Sequence, residues 1–120
     1  MRRALGAGLL LVATHGAAAQ SLPETDYALQ CRGCHGADGA GVAGRVPSLT
    51  GVGELLEAPA GRARLLSVPG VRQASLSDER LAALLTWVAS AFAPPGEAPV
   101  SSPLSAEEVG RYRGTSQTLR

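Results

Sequence analysis

The chain holds two cysteines, three positions apart, and a histidine follows the second directly: Cys31-Arg32-Gly33-Cys34-His35. The other histidine, His15, lies in a stretch that reads as a leader. The remaining chain therefore has two thiols and one imidazole, all within five residues. Any fold of this sequence must place those three groups on about one turn of backbone and give them a common task.

The leader is residues 1–19. Arg2 and Arg3 form a basic start, Leu5 to Ala13 an apolar stretch, and Ala17 to Ala19 a small-residue cleavage site. The apolar stretch is shorter than the roughly 20 residues that cross a bilayer. The reading is cleavage after Ala19, no membrane span afterwards, and ordinary export to the periplasm or otherwise out of the cytoplasm. Beyond residue 19 there are nine arginines, no lysine and ten carboxylates, a formal charge of −1. No basic stripe exists to neutralise phosphates, so nucleic acid is not an expected partner.

A chain of 120 residues supports one small domain. Residues 20–93 read as that domain, and residues 94–120 as a proline-rich linker with a short C-terminal helix or tail. Pro23 to Gln30 starts a helix that runs into the cysteines, with Glu24 and Asp26 in its first turn. Residues 36–53 are rich in glycine and predict a long loop lying against a neighbour. A short helix is expected over 57–67, ended by Pro69-Gly70. The clearest helix is 77–91, with Ser77 as N-cap and Leu81, Leu84, Leu85 and Val88 at helical spacing. Ser105 and Glu108 fit a capping box that opens a last helix, which either docks on a partner or packs back on its own domain. No segment alternates apolar and polar residues, so the fold class is all-α. Tyr27, Trp87, Phe92 and Tyr112 are the aromatic residues, few enough to suggest that something else fills the core.

Four chemistries compete for the cysteine pair. An exported chain could oxidise it to a disulfide. A thioredoxin-like redox pair needs a strand–helix setting that the sequence lacks. Structural zinc needs a fourth ligand from Cys or His, and none follows His35. The remaining reading uses all three residues. C-x-x-C-H is the covalent haem attachment pattern, in which two thioethers tie the porphyrin edge to one helical turn and the next histidine meets the iron. Haem c, one per chain, is the cofactor expected, with His35 as the metal ligand. The macrocycle would then complete the core.

From Tyr27 to Val88 the sequence resembles class I cytochromes c. Cys31 to Gly41 is similar to that family's haem-binding stretch, and Tyr27 stands where the family has an aromatic that packs on the last helix. Pro47-Ser48-Leu49-Thr50-Gly51 resembles its P-x-L-x-G segment, which implies that the Pro47 carbonyl holds the axial imidazole. Residues 76–88 resemble its C-terminal helix, with Leu84 and Trp87 packing on the first helix. The resemblance implies a small helical domain around one haem, single-electron transfer with a dehydrogenase or terminal acceptor as redox partner, and no catalytic residue.

One element of the pattern is missing. The family places a methionine on the far side of the iron, just before the last helix, and here that segment is residues 65–79, LLSVPGVRQASLSDE. Two registers put Val68 or Gln73 at the methionine position, the first keeping the downstream residues in step. Met1 is the sole methionine and leaves with the leader. Gln73, Tyr112, the amine of Gln20 or a partner chain could supply a ligand; the leading expectation is an open or water-bound position beside Val68. The functional expectation is an electron carrier or a subunit of a periplasmic oxidoreductase. The alternative is a gas-binding module with an open iron, while a peroxidase-like site lacks a far-side acid or base beyond Arg72 or Gln73. Arg45, Arg62, Arg64 and Arg72 are candidates for a basic docking rim.

Overall fold

The structure, a computed structural model, describes residues 21–114; the export signal read in residues 1–19 lies outside that range. The described chain folds into seven helices, with no strand beyond one isolated antiparallel bridge between Val42 and Val46. Helix α6 (Asp78–Ala91) is the hub on which α1 (Leu22–Gln30), α3 (Val52–Glu57) and α7 (Ala106–Gly114) pack.

The caps follow the local sequence. Ser21 Oγ accepts the Glu24 N–H at 3.4 Å to start α1, with Pro23 supplying a preset φ in the first turn. Ser77 Oγ accepts the Arg80 N–H at 3.3 Å to start α6, and Asp78 and Glu79 complement its dipole. Leu81, Leu84, Leu85 and Val88 are all buried, as their spacing requires.

The middle of the chain departs from expectation. The helix expected over 57–67 is α4 (Pro59–Ser67), starting two residues later, and a further helix that was not expected, α3, precedes it, the two separated at Ala58. Ala58 is extended, φ −127° and ψ 139°, because the ring of Pro59 crowds the helical conformation of the residue before it. The same device repeats at Val68, φ −61° and ψ 127°, ahead of Pro69, which opens the single turn α5 (Pro69–Arg72). The glycine-rich loop is correspondingly shorter, ending at Gly51, because Val52, Gly53 and Leu56 are drawn into the core.

The last helix packs back on its own domain. Val109 is fully buried and Leu104 nearly so, both in the same apolar cluster as Leu56, Leu66, Leu81 and Leu84. Only half of the capping box forms. Ser105 Oγ accepts the Glu108 N–H at 3.1 Å, but the Glu108 carboxylate turns to Arg62 Nε and Nη2, at 2.8 and 2.6 Å. Two charge-assisted bonds to a guanidinium outweigh one to an amide, and that guanidinium holds the Glu108 carboxyl below its usual range. Arg62 also donates to the carbonyls of Leu56 (2.7 Å), Ser102 (2.7 Å) and Pro103 (3.2 Å), while Leu104 N–H bonds Thr86 Oγ1 at 3.1 Å. The proline-rich stretch turns at Pro95-Gly96, where the Glu97 N–H bonds the Pro94 carbonyl at 3.1 Å, and is bonded to the domain at its end.

Two contacts fix α1 across α6. The rings of Tyr27, Trp87 and Phe92 form a mutually tilted trio with centroids 5.0 to 5.8 Å apart, a geometry that suits aromatic quadrupoles. One residue before Tyr27, Asp26, 2% exposed, receives both the Nε and Nη2 of Arg80. The end of α1 that leads into the cysteines is therefore held rigidly.

Candidate functional site

Cys31 closes α1 with φ −124° and ψ −38°, and the chain turns at once into the single turn α2 (Arg32–His35). The N–H groups of Cys34 and His35 both bond the Cys31 carbonyl, at 3.2 and 3.0 Å. The two sulfurs and the imidazole therefore belong to one helical turn. Both cysteines are free thiols, Cys31 half-buried and Cys34 exposed. Burial pushes the Cys31 thiol up, and Asp26 and Cys34 push it further in the same direction. Among the described residues, no three His, Cys, Asp or Glu side chains converge as a protein-only metal cage would require.

The glycine loop delivers the next component. The Pro47 carbonyl accepts the His35 Nδ1–H at 3.0 Å. That bond selects the tautomer whose Nε2 keeps its lone pair for a metal and fixes the plane of the ring. Pro47 reaches His35 because the loop folds back on itself. Gly41 N–H bonds the His35 carbonyl at 2.9 Å, and Val42 and Val46 exchange bonds at 2.9 and 2.8 Å. Gly41 sits at φ +68°, and a Cβ there would run into the Val46 and Pro47 carbonyls. No sequence signal separated Gly41 from its glycine neighbours; only the folded loop does. Gly41→Ala is expected to cost about 2–4 kcal/mol, combining left-handed strain with backbone overlap. Denaturant unfolding of the purified protein checks this, with Gly44→Ala as comparison. Gly44 is also left-handed, at φ +74°, but has open space around it.

Nearby, the Tyr27 hydroxyl donates to the Gly36 carbonyl at 2.5 Å, and burial holds its phenol above the ordinary range and so protonated. Gly39, at φ +68°, lies so close to the Phe92 ring that a Cβ would stand 2.8 Å from it. The loop that carries Pro47 is thereby packed on the aromatic trio.

The turn opens on a cleft of about 180 Å³. Three groups line it: Gln30, Cys31, Cys34 and His35 around the attachment turn, Leu81, Leu84 and Leu85 of α6, and Val68, Gly70, Val71 and Ala74 in and beside α5. Such a lining suits a flat apolar macrocycle: hydrocarbon on two sides, and both thiols and an oriented imidazole on the third. Cys31, Cys34 and His35 could hold a haem here. Of the two candidates for the missing methionine position, Val68 lines the cleft and is 45% exposed at its mouth. Gln73 is exposed and lies outside the lining, which takes residues 70 and 71 of the α5 turn and residue 74 just after it. Tyr112 packs against the core within electrostatic reach of Arg62 and does not line the cleft. Gln20 lies outside the described residues.

The α5 side of the cleft is braced by α7, a feature that the sequence did not announce. Arg113 of α7 donates to the carbonyls of Ala74 (3.0 Å) and Leu76 (2.9 Å) and to Asp78 Oδ1 (2.9 Å). Of the arginines expected to form a docking rim, Arg62 is withdrawn by its internal bonds, with 14% of its side chain exposed, whereas Arg45 and Arg64 are exposed. No helix among the described residues is long and apolar enough to cross a membrane.

The chain is 34% identical to a cytochrome c-552 of Thermus thermophilus over 98% of its own length and 90% of that protein's. A second cytochrome c-552 from the same species is 32% identical over 74% of this chain and 82% of that one. No family model matches the chain, and no solved structure does.

Proposed function

This chain belongs to the class I monohaem c-type cytochromes, the family of the cytochromes c-552, and on that premise we propose that it is an exported relay serving a periplasmic oxidoreductase, as its electron acceptor or as a subunit. It is an electron-transfer protein rather than an enzyme, with one covalently bound haem c as cofactor and redox proteins as its partners. When bound, the haem supplies an iron that changes reversibly by one electron.

In this reading Cys31 and Cys34 carry the thioethers, His35 offers Nε2 to the iron, and Pro47 holds the imidazole in plane through Nδ1. Leu81, Leu84 and Leu85 exclude water from the cleft, and the clamped α1–α6 pair keeps the attachment turn from shifting when charge changes. The observation that carries the reading is the placement of two free thiols and a carbonyl-fixed imidazole on one turn facing an apolar cleft. Residues 21–114 contain no methionine, so the reduction potential is expected below that of a His/Met haem.

Export and attachment are tested together on protein purified from the periplasmic fraction. Its mass should match a chain starting at Gln20 plus one haem, and its pyridine haemochrome should be that of a haem with both vinyl groups saturated. A haem-free chain that still begins at Met1 would overturn the reading.

A further inference from the structure

We propose that the wall formed by Val68, Gly70, Val71 and Ala74 makes the far face of the cofactor cleft a binding site for small neutral diatomic molecules, carbon monoxide and nitric oxide, and a poor one for anions. The inference rests on the haem attachment read above. It goes beyond electron transfer, because a carrier whose iron is closed on both faces binds neither.

The chain's own residues lead there by elimination and then by surface chemistry. After His35, residues 36–114 contain no histidine, methionine, lysine or cysteine. The oxygen donors that could replace them, Gln73 and Tyr112, both lie outside the cleft lining. Apart from the attachment turn, the cleft that His35 lines is built from two valines, an alanine and a glycine in and beside α5 and from three leucines of α6. None of these side chains donates a hydrogen bond. An anion entering against such a wall surrenders its hydration to apolar surface, with only Gln30, beside the attachment turn, as an amide donor in the lining, which disfavours it strongly. A neutral diatomic has almost no hydration to lose.

The wall also has room and stays in place. Gly70 is exposed, and a Cβ added there would meet no protein atom within 4 Å, so this position at the cleft accepts a larger side chain. Behind the wall, Arg113 bonds the Ala74 and Leu76 carbonyls. This brace opposes a rearrangement that would carry Gln73 inward.

The test uses the exported, haem-loaded full chain. After reduction, carbon monoxide is expected to shift the Soret band and saturate at one molecule per haem. Azide added to the oxidised protein at the same concentration should leave its spectrum unchanged. Gly70→Leu fills the open edge without adding a donor and should slow carbon monoxide association at least tenfold; Val71→Phe is the second variant with the same expectation. Gly70→Ser adds a hydroxyl and should raise azide affinity at least tenfold. A low-spin spectrum unmoved by carbon monoxide would overturn the inference while leaving the haem attachment intact, as would association rates indifferent to both bulky variants. A colourless protein would instead overturn the attachment reading on which it stands.

Discussion

Replacing both attachment cysteines, Cys31→Ser with Cys34→Ser, should give an exported chain with visible absorbance per mole reduced at least tenfold and a melting midpoint lower by tens of degrees. The first effect follows from chemistry. Serine hydroxyls do not form the thioethers, and the cleft, with its apolar α5 and α6 sides, offers little else to retain a haem through purification. The second follows from linkage. A group that binds only the folded chain stabilises it by an amount that grows with its effective concentration, and covalent attachment makes that concentration very high. Several kcal/mol lost at roughly 4–8 °C per kcal/mol in a domain of this size gives the expected fall. Absorbance and circular dichroism melting, measured beside the parent protein, check both parts. Full colour in the double variant would show that the sulfurs are not the attachment points.

The second large effect is expected away from the cofactor. Arg80→Met leaves Asp26, 2% exposed, without its guanidinium partner. Breaking a buried ion pair from one side costs about 3–5 kcal/mol. The Arg80 side chain is 49% exposed, so water screens the pair and about 2–4 kcal/mol is the better expectation. Urea unfolding should show this loss. The double variant Asp26→Leu with Arg80→Met should recover most of it, because no uncompensated charge is then buried. A single variant as stable as the parent would mean that the pair is not what joins α1 to α6. The consequence reaches the site, since Asp26 lies five positions before Cys31 and the same helix delivers both.

Much of this was legible because the relevant interactions are local. C-x-x-C-H specifies one helical turn whatever surrounds it, and Ser77 with the leucine spacing of residues 81–88 specifies α6. Other features are equally local. Pro59 and Pro69 each force an extended residue before them, and that rule alone moves the start of the expected 57–67 helix to Pro59 and opens the α5 turn. The reciprocal capping box at Ser105 and Glu108 fails for a different reason. Glu108 had a stronger suitor 46 residues away in Arg62, and no local pattern contains that competition.

The cleft divides in the same way. Its attachment wall is one contiguous stretch, so residue order determined it, and the missing methionine was visible as an absence along the chain. Which of Val68 and Gln73 would line the cleft was not determined by order, because a short turn after a proline can present either until its packing is set. The folded chain, with Arg113 holding the Ala74 and Leu76 carbonyls, puts residues 68, 70, 71 and 74 in the cleft lining and leaves 73 outside it. Gly41 belongs with these: its role is to let two carbonyls pass where a side chain would stand, one of them the Pro47 oxygen that fixes His35. Sequence alone determined the chemistry of the attachment turn, since neighbouring residues cannot be separated. Tertiary structure decided what shares the cleft with that turn, since the rest of its lining comes from chain more than thirty residues away.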